Sequence, residues 1–171
     1  MTAARQERKS SQLWCAVAAI LGAMAGFAGS GPGPASLQAA ITERLVANRY
    51  TGLAIDGFDP VAYFVDAEPR FGRADLEFRH AGATWRFVNA GNRAAFVADP
   101  EVYMPRFGGY DAIAVARGVA TPGHPKLWQI ADQRLYLFYS EEARSTFIQN
   151  PEGAIEAADR HWPEVLLTLS P

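Results

Sequence analysis

The sequence predicts an α+β fold, in which small antiparallel β-hairpins or a small sheet pack with several short helices in a single domain. Three observations predict it. Residues 75–89, DLEFRHAGATWRFVN, and 127–140, LWQIADQRLYLFYS, alternate apolar and polar side chains on either side of a short turn, the pattern of a half-buried hairpin. Each hairpin runs into a segment that opens on a good helix N-cap, Asn89 and Ser140. The 171 residues are 49% hydrophobic and 12% aromatic, enough for one core of ordinary size. A small mixed sheet with helices packed on it is the architecture these elements suggest.

The chain opens with Arg5, Arg8 and Lys9, then an apolar run from Leu13 to Gly29. A basic segment ahead of an apolar one has the form of an export signal. Residues 1–28 read as a signal peptide cleaved after Ala28 or as a retained signal anchor. Either reading puts the rest of the chain outside the cytoplasmic membrane, in the periplasm or tethered facing it, with membrane contact only through an uncleaved N-terminus. Residues 29–44 form a Gly/Pro/Ser linker and N-terminal arm, and the domain is expected over 45–166, with a tail at 167–171. Leu37, Ile41, Leu45 and Val46 recur at helical spacing, so residues 37–50 read as a short helix or an extended arm.

Within the domain, Gly57 and Asp59-Pro60 mark a tight turn. VAYFV, 61–65, fits a buried strand or one helical turn equally well. In the first hairpin Ala81-Gly82 makes the turn, and His80 falls on the apolar face beside it. The helix after Asn89 is expected to turn Ala94, Ala95 and Phe96 inward. In the second hairpin Asp132-Gln133 turns, and the returning strand, LYLFY, is apolar or aromatic on both faces, so it is expected to be covered on both. Glu141 and Glu142 suit the start of the helix behind Ser140. Pro151 suits the first turn of a last helix, which Pro163 is expected to break or kink. The two hairpin-then-helix units are similar in outline, but the residues show no internal repeat.

Composition excludes some functions. A net charge of −2 gives no electrostatic case for nucleic acid binding. The single cysteine, Cys15, allows neither an intramolecular disulfide nor a Cys-rich zinc site. The histidines, His80, His124 and His161, are far apart and lack metal-ligand spacing. No GxSxG, phosphate loop or HExxH occurs.

The stretch 96–118, FVADPEVYMPRFGGYDAIAVARG, is the one most suggestive of function. Asp99-Pro100 and Pro105 interrupt helical structure. Gly108 and Gly109 allow backbone angles that other residues avoid, and Asp111 suits the N-cap of a short buried helix ending near Gly118. The competing reading is a pocket lined by Tyr103, Tyr110 and Asp111.

Blocks spread along the chain, GFDPVAYF (57–64), the run 82–118, LWQI (127–130), RLYLFYS (134–140) and ADRHWPEV (158–165), resemble the YHS-domain proteins of bacteria, most of all their exported single-domain branch. The resemblance covers residues 45–166. It implies metal handling, copper especially, because related modules accompany metal-transporting ATPases. Many relatives carry a cysteine or selenocysteine after the GGY triplet, where this chain has Asp111. A carboxylate does no redox chemistry and prefers harder ions than a thiolate does.

The expectation is therefore an exported binding module for a metal ion or small ligand. Its candidate residues are Asp59, Tyr63, Tyr103, Gly108, Gly109, Tyr110 and Asp111, and its candidate metal ligands are Asp111, His80 and His124. The alternatives are an envelope structural or protein-interaction domain presenting LYLFY, and a small enzyme using Asp/Tyr acid–base chemistry. Convergence of Asp59, Tyr63, Tyr103 and Asp111 on one concave site would favour binding. Finding them scattered and buried would favour the interaction reading.

Overall fold

The computed structural model describes residues 44–169; the segment read as an export signal, residues 29–43 of the expected arm and Cys15 lie outside them. The described residues form an α+β domain. Its helices and strands are α1 (Ala62–Val65), β1 (Arg73–His80), β2 (Ala83–Phe87), α2 (Ala90–Ala98), α3 (Pro100–Tyr103), α4 (Ala112–Val115), β3 (His124–Ala131), β4 (Arg134–Phe138), α5 (Glu141–Gln149) and α6 (Pro151–Leu169). No helix among the described residues is long and apolar enough to cross a membrane.

The strands make two separate two-stranded antiparallel sheets, β1 with β2 and β3 with β4, rather than one mixed sheet. Parallel contact is limited to isolated bridges, such as Leu53 with Thr84 and Pro105 with Leu135. The turns fall where expected. Ala81 and Gly82 take left-handed backbone angles in the first hairpin, and Asp132 and Gln133 do so in the second. VAYFV becomes one helical turn. The α2 helix differs from expectation: Ala94 faces solvent while Asn92 and Phe96 face in. Pro163 does not break α6, which runs through to Leu169.

β4 explains the doubly apolar run in the sequence. Leu135 and Leu137 pack into one core with Trp85, Phe87, Phe96 and Tyr63. The alternate residues, Tyr136 and Phe138, pack into the other with Phe107, Phe147 and Val115. A strand points successive side chains to opposite faces, so one strand supplies both cores. LYLFY is therefore interior, with only its last residue, Tyr139, exposed.

The structure also corrects the reading that the chain lacks a repeat. Its two halves follow the same backbone course. Ile55, Asp56 and Gly57 have φ of 42°, 52° and 83°, and Phe107, Gly108 and Gly109 have 54°, 60° and 84°. Asp59 N donates to Arg70 O and Asp111 N to Thr121 O, each at 2.8 Å; Gly72 N donates to Gly57 O and Gly123 N to Gly109 O, each at 2.9 Å. Arg93 Nε reaches Glu77 O at 2.9 Å, and Arg144 Nε reaches Trp128 O at 2.8 Å. Both hairpins carry a register irregularity, between Arg73 and Glu77 and between His124 and Trp128. What repeats is the set of turn, cap and close-approach positions. Most core side chains between them differ, which conceals the repeat at the level of identity.

Gly72 and Gly123 are equivalent, and neither has room for a side chain. A Cβ on Gly72 would lie 2.3 Å from Arg86 C, and one on Gly123 would lie 2.6 Å from Leu137 Cβ and 2.8 Å from Gly109 O. Gly72→Ala and Gly123→Ala are each expected to destabilise the domain by about 1–3 kcal/mol through overpacking, read as a lower urea midpoint. Gly118→Ala, which meets nothing within 4 Å, serves as the contrast and should cost only its backbone strain at φ 77°.

Candidate functional site

Asp59 and Asp111 occupy the same place in the two halves, each following a left-handed turn that aims its carboxylate inward. Asp59 is fully buried. Its Oδ1 accepts from Val61 N (2.8 Å) and Ala62 N (3.3 Å) at the start of α1, and its Oδ2 accepts from Val88 N (2.8 Å) and Asn92 Nδ2 (2.8 Å). Asp111 is 2% exposed. Its Oδ1 accepts from Ile113 N (2.8 Å) and Ala114 N (3.1 Å), capping α4, and its Oδ2 accepts from Tyr139 N (2.7 Å). Each carboxylate thus ties a helix start to the end of a hairpin. The N-cap expected of Asp111 is present, but the residue does more than cap.

The other sequence candidates do not join these two in one concave site, and this scattered, mostly buried arrangement favours the interaction reading over a pocket built from these residues. Tyr63 is buried, donates its hydroxyl proton to Pro125 O at 2.8 Å and meets Trp128 edge-on at 5.3 Å. It fastens the first half to the edge of the second hairpin. Tyr103 is half-buried and packs edge-on against Phe64. Tyr110 is buried beside Trp162. Gly108 and Gly109 make the left-handed turn, and a Cβ on Gly108 would lie 2.0 Å from Arg44 O. His80 is half-buried between Phe78 and Phe96, while exposed His124 accepts from Lys126 N through its own Nδ1. Among the described residues no three His, Cys, Asp or Glu side chains come together as a metal site, and Asp111, His80 and His124 do not form one.

The pivotal stretch does border a cleft, through residues that sequence reasoning did not single out. Arg106, Phe107 and Gly108 line a cleft of about 610 Å³ together with Arg44, Arg134, Trp162 and Glu101. Arg106 is ion-paired to Asp159 and lies 5.1 Å from the Phe107 ring centroid. Arg134 opens β4, and its Nε is buried with no hydrogen-bond partner. Such an atom costs about 1–3 kcal/mol when left unsatisfied, more when its group is charged. Arg44, Arg106 and Arg134 gather along this cleft beside Glu101, with Arg106 held by Asp159, in a chain whose net charge is negative. The net charge conceals this, because the three arginines lie in separate parts of the sequence and are brought together only by the fold.

No family model, no curated protein and no solved structure matches this chain.

Replacing Asp59 with Ala leaves buried donors without an acceptor and is expected to cost about 3–5 kcal/mol, at ~1–3 kcal/mol for each donor that cannot reach water. Asp111→Ala, with one donor fewer, should cost about 2–3 kcal/mol on the same basis, more than a simple cap. Urea midpoints of the two variants check the order.

Burial, then the negative charges of Asp59 and Asp56, hold the Tyr63 phenol above its ordinary value of 10.0. Because the folded-state value is the higher one, the Tyr63 contribution is fully present below the unfolded value and is lost as pH rises from there toward the folded value. Stability should therefore fall with pH above about 10. Tyr63→Phe should cost about 1 kcal/mol at neutral pH for the lost hydrogen bond and reduce that alkaline slope. Urea titrations at a series of alkaline pH values measure both.

Proposed function

We propose that this chain is an exported, YHS-like binding module that takes a small anionic ligand, carrying a carboxylate or phosphate group, in the cleft beside Gly108. The observation that carries the reading is the gathering of Arg134, Arg106 and Arg44 along one cleft. A planar guanidinium matches a carboxylate or phosphate through paired N–H donors, and such charge-assisted bonds are the strong ones. Trp162, Leu45 and Met104 give the same cleft apolar walls, as small-molecule sites generally have. The basic and apolar N-terminal segment supports export, and the blocks that resemble YHS domains support a module of that kind. The ligand departs from the metal that the resemblance implies, since three arginines line this cleft and Glu101 is its one carboxylate.

The full-length chain should show a saturable rise in melting temperature with phosphate, succinate or citrate, measured against chloride at equal ionic strength. A ligand at 100 times its Kd stabilises by about 2.7 kcal/mol. Arg134→Met should abolish the rise without lowering the ligand-free melting temperature, because it removes a buried donor that has no partner. Equal shifts in wild type and Arg134→Met, or a response that follows ionic strength alone, would overturn the reading.

A further inference from the structure

The two halves differ at one position that matters for chemistry. In the first half Asn92 sits at the third position of α2 and donates its carboxamide N–H to Asp59 Oδ2 at 2.8 Å. The equivalent position in α5 is Ala143, marked by the same capping bond: Asn89 Oδ1 accepts from Asn92 N, and Ser140 Oγ accepts from Ala143 N. Alanine has no donor to give, and Asp111 Oδ2 receives only Tyr139 N at 2.7 Å. A cavity of about 250 Å³ lies here, lined by Asp111, Ala114, Arg117, Thr121, Tyr139 and Ala143. The second half thus keeps the buried carboxylate and its loop but lacks the side chain that completes them in the first.

We propose that this cavity is a second binding site, separate from the arginine cleft, and that it takes a primary carboxamide group of a small ligand. The first half already displays the chemistry: a carboxamide completes an aspartate held in this backbone setting. The electrostatics of the second half select the same group. Arg117 lines the cavity with its Nε engaged on Ile113 O at 3.3 Å, and its guanidinium has further N–H donors. An ammonium group would meet the Arg117 charge, and a carboxylate would meet that of Asp111. A neutral carboxamide gives an N–H to Asp111 Oδ2 and accepts from Arg117 through its oxygen. The cavity exceeds the volume of that group alone, so the rest of the ligand extends toward Val119 at its rim.

The test is an amide-resonance titration of the full-length chain with propionamide, N,N-dimethylpropionamide, methylammonium and propionate. Propionamide is expected to shift the Tyr139 and Ala143 amides saturably, and the dimethyl compound, which has no N–H, is not. Ala143→Asn places the completing side chain in the cavity and should abolish the response. Ala143→Leu fills the same space without a donor and should abolish it too, which covers a failure of the first variant to fold. The proposal is overturned by equal binding of the dimethyl compound, by a response to methylammonium or propionate in place of propionamide, by persistence of the response in a folded variant, or by no saturable shift.

Discussion

The structure depends on two carboxylates that are out of water and held by several hydrogen bonds each. A buried charge is tolerated only when hydrogen bonds replace its hydration. Here those bonds come mainly from backbone N–H groups at helix starts and hairpin ends, so meeting the need of one side chain fixes the relative position of several elements. Asp59 joins the start of α1 to the end of β2 and the first turn of α2. Asp111 joins the start of α4 to the end of β4. The left-handed turns before each aspartate and the tight glycines after each helix follow from the same requirement, because the chain must double back closely enough to deliver the donors.

Much of the fold is legible in the sequence because it rests on local chemistry. The hairpins follow from alternation around short turns, and the helix starts follow from Asn89, Ser140 and Asp111, all of which accept the expected backbone bonds. The two-sided character of LYLFY correctly indicates burial on both faces. Tertiary competition decides what local chemistry does not. Ala94 is apolar but faces solvent because the polar Asn92 has a partner inside worth more than alanine's small area. Pro163 remains in a helix because long α6 packs Ala158 and Val165 on either side of it. The strands stay in two sheets because the edge of β4 away from β3 is met by Pro105 and Asp111 through isolated bridges and not by another strand.

The candidate site was legible in part. Asp59, Tyr63 and Asp111 stand out in the sequence as pocket candidates; each is buried with specific partners, but the burial serves the fold, and they do not converge. The cleft groups escaped notice because an isolated arginine carries no pattern. Arg106 and Arg134 are given their setting by the turn at Gly108 and by the first residue of β4, which the isolated bridge between Pro105 and Leu135 brings together. The difference between Asn92 and Ala143 was equally hidden, since it has meaning only once the two halves are superposed in mind by their hydrogen bonds.

The alternation of β4 between two cores has a consequence for cooperativity. A repeated architecture suggests two units that could melt one after the other. Because Leu135 and Leu137 belong to one core while Tyr136 and Phe138 belong to the other, loss of either core strips one face of the same strand and leaves its partner without support. The domain is thus duplicated in its backbone but shares one strand between its cores, an arrangement that couples the melting of the two halves.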